Sequence, residues 1–305
     1  YLLPLFPVLD LVAAIGWLGL VKLLLPKKSV PAAFASVLLV IFQAIPALSY
    51  YPYYLTYFNP LLGGPEQAVK VTLMGWGEGM EQVAAYLNAK PDAEKLYVAA
   101  VPAQTMLPYF RGSGENFYTN DIAFRADYVV LYVSQVQRLA PSPEIVRYFQ
   151  AQTPEKVISI GDVPYASIYP NRPLILTDVP SGAMPMNIGL DDKMRLAGYS
   201  LASEQPAVTL YWHALAPLAD NYTISVRAYA AEGQLLFQQD QGPVSGLLPT
   251  NQWRQGDYVA DTHRLQLPGE AGWNSVNHLE IVVYNAETGA NVGPPILLEV
   301  ENTLR

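Results

Sequence analysis

The stretch Gly75-Trp76-Gly77-Glu78-Gly79 sets an indole and a carboxylate two residues apart on a glycine-rich turn. An indole face stacks on the C–H patches of a pyranose ring, and a carboxylate accepts hydrogen bonds from sugar hydroxyls. Trp76 and Glu78 are therefore candidate substrate-binding residues. The competing reading is architectural: three glycines shape a tight turn, Trp76 packs, and Glu78 serves the start of the following helix, where the dipole favours acids. Trp212, Trp253 and Trp273, with Tyr211 and Tyr258, would form a carbohydrate platform if their rings lie on a surface. Aromatic rings in the core are the alternative. His213, His263 and His278 are scattered. His263 with Asp240, Asp257 and Asp261 has the ligand types for a hard cation but not the spacing of a calcium loop, so no metal site is expected. There is no G-x-S-x-G, Walker or zinc-finger pattern, and no catalytic residue is assigned.

Two apolar stretches precede these residues. Residues 2–25 are apolar but for Asp10 and Lys22, and residues 30–48 carry no charge. About 20 residues at 1.5 Å each cross a hydrocarbon core of roughly 30 Å, so both stretches are expected to be transmembrane helices. Pro26-Lys27-Lys28-Ser29 between them marks a cytoplasmic turn. Tyr50, Tyr51, Tyr53, Tyr54 and Tyr57 follow closely. They are expected to form a membrane-interface belt, where an apolar ring with a polar tip is at home. Everything after about Tyr50 is then extracellular. The opening at Tyr1, inside an apolar run, leads us to expect the C-terminal portion of a longer protein.

Beyond the belt the pattern changes twice. Residues 78–89 place Met80, Val83, Ala84 and Leu87 at helical spacing, residues 95–101 and 128–133 read as buried strands, and residues 102–110 as a helix begun by proline. Residues 142–150 form a helix capped by Ser142 with Pro143 at its first position. Residues 157–160 and 165–169 flank Gly161-Asp162 as a hairpin, and residues 112–114 read as a flexible loop. From Leu174 onward helices disappear. Residues 174–179, 194–201, 207–214, 222–230, 235–240, 262–267, 278–284 and 296–300 read as short strands separated by turns. The expected fold class is thus multi-domain: two transmembrane helices (1–49), an external α/β domain with a Tyr-rich entry (50–173), and an all-β sandwich (174–305).

Net charge is −8 over 305 residues. That argues against nucleic acid, which needs a basic footprint. The absence of cysteine excludes disulfides and thiolate chemistry, and is compatible with a bacterial exterior.

Several of these stretches together resemble a known group. Tyr1-Leu2-Leu3-Pro4 opening an apolar helix, Tyr57-Phe58-Asn59-Pro60-Leu61-Leu62-Gly63-Gly64, the Gly75–Gly79 turn and Tyr86-Leu87-Asn88 are similar to the C-terminal end of bacterial membrane glycosyltransferases of the protein mannosyltransferase (family 39) kind. Pro249-Thr250, Trp253, Gly256-Asp257, Asp261-Thr262-His263, Leu265 and Leu267-Pro268 resemble a β-sandwich module attached to such proteins. The resemblance implies transfer of a sugar from a polyprenyl-phosphate donor to a glycan or protein acceptor outside the cell, and it admits a divalent cation in the parent enzyme. It also implies an essential acidic residue in an early external loop, which this sequence does not include. The expectation is the C-terminal portion of a polytopic enzyme in the bacterial cell membrane, with the lipid bilayer, a lipid-linked sugar and the acceptor as partners. This portion would serve acceptor access or glycan recognition. The alternative is a membrane-anchored extracellular carbohydrate-binding or scaffold protein without catalysis.

Overall fold

In the computed structural model, residues 5–24, 32–202, 205–267 and 272–300 are described. They fall into two compact units, Tyr1–Val71 and Thr72–Arg305. The opening Tyr1-Leu2-Leu3-Pro4, the lysine turn Pro26-Lys27-Lys28-Ser29 and Pro268-Gly269 lie outside the described residues.

The first unit contains α1 (Phe6–Leu24), α2 (Ala32–Ser49) and α3 (Gly64–Val71). The expected pair of transmembrane helices is corrected here: among the described residues no helix is long and apolar enough to cross a membrane. With 19 and 18 residues, α1 and α2 reach about 28 and 27 Å at 1.5 Å per residue, short of the roughly 30 Å of hydrocarbon. Asp10 and Lys22 lie within α1, and Gln43 and Pro46 within α2. Leu11, Ile15, Leu23, Val40, Phe42 and Leu48 are exposed along the two helices. Asn59 caps the 3-10 turn Pro60–Leu62, its side chain accepting from the Leu61 N–H at 2.9 Å, and Gly63 leaves that turn in the left-handed region.

The second unit begins with α4 (Met80–Asn88) and continues as β1 (Tyr97–Ala100), α5 (Ala103–Met106), β2 (Ser113–Asn116), α6 (Asn120–Arg125), β3 (Tyr128–Tyr132), α7 (Val133–Arg138), α8 (Pro143–Gln150), β4 (Lys156–Ile160) and β5 (Val163–Pro170). The five strands form one mixed sheet in the order β2-β1-β3-β5-β4. β2, β1 and β3 pair in parallel, and β5 runs antiparallel to both of its neighbours, β3 and β4. Val98, Val129, Val130 and Leu131 are buried, as expected of strands covered on both faces. Ser142 caps α8 by accepting from the Ile145 N–H at 3.3 Å. The stretch expected as a flexible loop, Gly112-Ser113-Gly114, instead leads into β2. A Cβ at Gly114 would stand 2.5 Å from the Val98 carbonyl oxygen, and one at Gly112 equally close to those of Ala93 and Leu96. Glycine here lets one strand lie against its neighbour.

The remaining strands are β6 (Ile175–Leu176), β7 (Met184–Leu190), β8 (Met194–Ala202), β9 (Ala207–Ala214), β10 (Tyr222–Tyr229), β11 (Leu235–Gln241), β12 (Tyr258–Arg264), β13 (His278–Asn285) and β14 (Ile296–Glu299). They form two antiparallel sheets, β6-β12-β9-β8-β7 and β11-β10-β13-β14. Alternate residues meet in one apolar core: Val208, Leu210 and Trp212 from β9, Ile224, Val226 and Ala228 from β10, and Leu279, Ile281 and Val283 from β13. Three expected boundaries are corrected. The 174–179 strand shrinks to two residues, residues 184–190 add a strand, and β12 starts at Tyr258 rather than Thr262.

The mixed sheet and the sandwich share their packing. Phe124, Phe149 and Tyr169 belong to the same buried cluster as Trp212 and Trp253. The Leu174 N–H donates to the Phe124 carbonyl at 2.8 Å, and the Asn171 side chain donates to the Ala123 and Ala126 carbonyls at 2.7 and 2.8 Å.

Candidate functional site

The Gly75–Gly79 turn is pressed onto the mixed sheet. Gly75 and Gly77 have φ of +91° and +115°, where an L side chain is strained. A Cβ at Gly75 would lie 2.5 Å from the Tyr132 ring, and one at Gly77 2.6 Å from Thr105 Cγ2. Only glycine allows this approach. The phenol of Tyr132, at the end of β3, fixes the turn: its oxygen accepts from the Gly77 N–H at 3.0 Å, and its O–H faces the Glu78 carbonyl at 3.0 Å and Glu78 Oε2 at 3.1 Å. Glu78 Oε2 also accepts from the Trp76 N–H at 2.7 Å. The Met74 N–H donates to Gln137 Oε1 at 2.9 Å, and the same amide donates to the Thr72 carbonyl at 2.8 Å.

Burial, reinforced by the Glu78 charge, holds the Tyr132 phenol far above its usual range. Tyr132 therefore remains a neutral O–H donor at any ordinary pH. Glu78 does not cap α4; its N-cap is Gly79, without a side-chain bond. The carboxylate instead ties the turn to β3. What this leaves outward is Trp76, 78% exposed. An aromatic face stands on a backbone held by at least four hydrogen bonds.

The other predicted aromatic set is placed differently. Trp212, Trp253 and Trp273 are 0%, 3% and 7% exposed. The Trp253 indole N–H donates to the Leu248 carbonyl at 3.2 Å, and that of Trp273 to the Ala202 carbonyl at 2.7 Å. These rings are sandwich core, with no face for a sugar. Tyr258 stacks on His213 at 4.1 Å between centroids. In the first unit Tyr51, Tyr54 and Tyr57 are exposed and Tyr50 and Tyr53 half-buried. They pair edge to face, Tyr50 with Tyr57 at 5.3 Å and Tyr51 with Tyr54 at 6.1 Å.

The candidate cation set does not assemble. His263 and Asp261 pair at 2.8 Å, both fully buried, while Asp257 turns to Arg125 and Asp240 to Gln238. Among the described residues no group of three or more His, Cys, Asp or Glu is arranged to hold a metal ion.

Sequence reasoning missed the charge network that joins the mixed sheet to the sandwich. Arg125, at the end of α6, donates to both oxygens of Asp257, at 2.7 and 2.5 Å, and approaches Asp121 at 3.4 Å. Arg254 closes on Asp121 at 3.0 Å. Burial opposes the charged form of Arg125, but its bonds to Asp257 outweigh it and raise the guanidinium above its usual range. The available signal was Asp121 and Arg125 at i, i+4, one turn apart on a helix.

No protein-family model matches the chain, and no curated protein matches it.

Proposed function

We propose that this chain is the non-catalytic, acceptor-handling portion of a bacterial membrane glycosyltransferase that draws its sugar from a polyprenyl-phosphate donor. In this reading the Trp76 turn contacts the glycan or protein acceptor. The observation that carries it is the exposed Trp76 ring on a turn pinned by Glu78 and Tyr132. An exposed indole offers a flat face on which a sugar ring can stack. A ring on a fixed backbone also loses little freedom when a ligand stacks on it. Glu78 Oε2 is taken by the turn itself, which makes Glu78 chiefly the residue that aims Trp76.

The exposed tyrosines after α2 and the exposed apolar side chains of α1 and α2 support a role at a lipid surface; that the residues after about Tyr50 are extracellular is part of the proposal. The scaffold alternative draws on a different observation. All three sandwich tryptophans are buried, so in that reading the sandwich spaces and orients without binding.

The test is transfer by the parent enzyme carrying Trp76→Ala, with Trp76→Phe alongside. Stacking on sugar predicts at least a tenfold loss for Ala, about 1.4 kcal/mol, with Phe retaining most activity and both variants expressed normally. Unchanged transfer in Trp76→Ala would reduce Trp76 to an exposed ring without a role in transfer.

A further inference from the structure

A cleft lies elsewhere in the unit, at an open edge of the sandwich. β12 pairs with β6 only through Tyr258 and Val259, so beyond Ala260 its outer edge is unpaired among the described residues. β11 is the terminal strand of the opposite sheet. Between them runs a cleft of about 660 Å³, whose lining includes Tyr148 of α8, Gln239 and Gln241 of β11, Thr262 and Arg264 of β12, and Gln266.

The chemistry of this lining is specific. It holds three side-chain amides, the Ser245 and Thr262 hydroxyls, one partly exposed phenol ring and one charge, Arg264, beside the apolar Leu174, Val244, Leu247 and Ala260. Among the described residues no carboxylate pairs with Arg264, in a chain whose net charge is −8. Gln239 Oε1 is buried without a donor among the described residues. Amides and hydroxyls that both donate and accept suit a polyhydroxylated ligand, an aromatic ring suits a pyranose face, and an unpaired guanidinium suits a carboxylate.

The wall is also held in place. Asp261 and His263, fully buried behind it, are satisfied on every side shown. His263 Nε2 meets Asp261 Oδ2 at 2.8 Å, Asp261 Oδ1 accepts from the Val244 N–H at 2.8 Å, and the Gln241 amide lies 3.3 Å from His263 Nδ1. The pair thereby fixes Gln241 and the Val244-Ser245 turn, where φ is +53° and +55°. Both line the cleft. A buried, fully hydrogen-bonded polar pair specifies local geometry; here it holds the cleft wall.

We infer that the cleft between β11 and β12 binds an acidic oligosaccharide, with Arg264 on a sugar carboxylate, Gln239, Gln241 and Thr262 on hydroxyls, and Tyr148 against a ring face. The inference does not rest on the Trp76 reading, since the two sites share no residue.

The experiment is calorimetric titration of the full chain with a tetragalacturonate and with the same tetrasaccharide reduced at its carboxyl groups. It is run on the wild type, Arg264→Gln, Tyr148→Ala and Trp76→Ala. The expected result is binding of the acidic form, weakened by salt, about tenfold weaker in Arg264→Gln, weaker in Tyr148→Ala, and unchanged in Trp76→Ala. Circular dichroism of each variant checks the fold, and having two cleft variants on separate elements, β12 and α8, keeps the result interpretable if one misfolds. Equal binding of the reduced form, no response to either cleft variant, loss in Trp76→Ala instead, or no binding would each overturn the inference. Neutral-glycan binding lost only in Trp76→Ala, with no binding of the acidic form, would support the other site and overturn this one.

Discussion

Single side chains in this protein act mainly by what they hold. Arg125 joins α6 to the sandwich through two hydrogen bonds to Asp257, and both side chains are largely buried. Replacing Asp257 with Ala leaves the guanidinium buried with only the longer Asp121 contact. We expect a loss of about 3 kcal/mol, a large share of the roughly 5–15 kcal/mol that keeps such a domain folded. Urea unfolding followed by tryptophan fluorescence reads it, and an unmoved midpoint would mean that Asp121 alone suffices. His213 makes a pH-dependent prediction. Burial, and next the adjacent Arg195 charge, hold its imidazole below the usual 6.5, with Asp178 opposing. The unfolded chain then binds the proton more readily than the folded one. Stability is complete above the unfolded value and is lost as pH falls from there through the folded value. His213→Gln should flatten the dependence of the urea midpoint on pH between about 7 and 5; an unchanged slope would remove His213 as its source. The burial of Trp212 was readable from spacing, since Val208, Leu210, Trp212 and Ala214 alternate along β9 on the inner row. Residue type alone misled, because an indole serves a core and a sugar platform equally well.

Elements were legible where one face is plainly apolar. The runs around β1, β3 and β5, and the capped start of α8 at Ser142-Pro143, announce themselves by burial pattern and cap chemistry. The elements that hid have specific reasons. β12 carries Asp261 and His263 on its inner row, so its alternation looks polar until the pair between them is seen. β7 contains Pro185, which counts against a strand, and its register shifts between Pro185 and Ile188. β2 is Ser-Gly-Glu-Asn, with no apolar residue, and is a strand because Gly114 fits against the Val98 carbonyl. α6 has six residues, too short for periodicity to show. For α1 and α2, apolar composition pointed to spanning helices. Length and the interrupting Asp10, Lys22, Gln43 and Pro46 stand against that reading.

On the scale of the molecule, the mixed sheet and the sandwich are one packed unit, with a shared apolar cluster and the Arg125–Asp257 bridge across their junction. The candidate site was half legible. The glycine spacing marked the Trp76 turn, but the partner that pins it, Tyr132, lies more than fifty residues away on β3, and no local pattern reveals it. The central claim is that glycan recognition sits on the Trp76 face and not on the sandwich tryptophans. The most direct test is the set of indole N–H resonances of the 15N-labelled chain, titrated with acceptor glycan. The Trp76 resonance should move with ligand while those of Trp212, Trp253 and Trp273 stay in place. A shift confined to a sandwich tryptophan, or a Trp76 resonance indifferent to every glycan that binds outside the β11–β12 cleft, would rule the Trp76 face out.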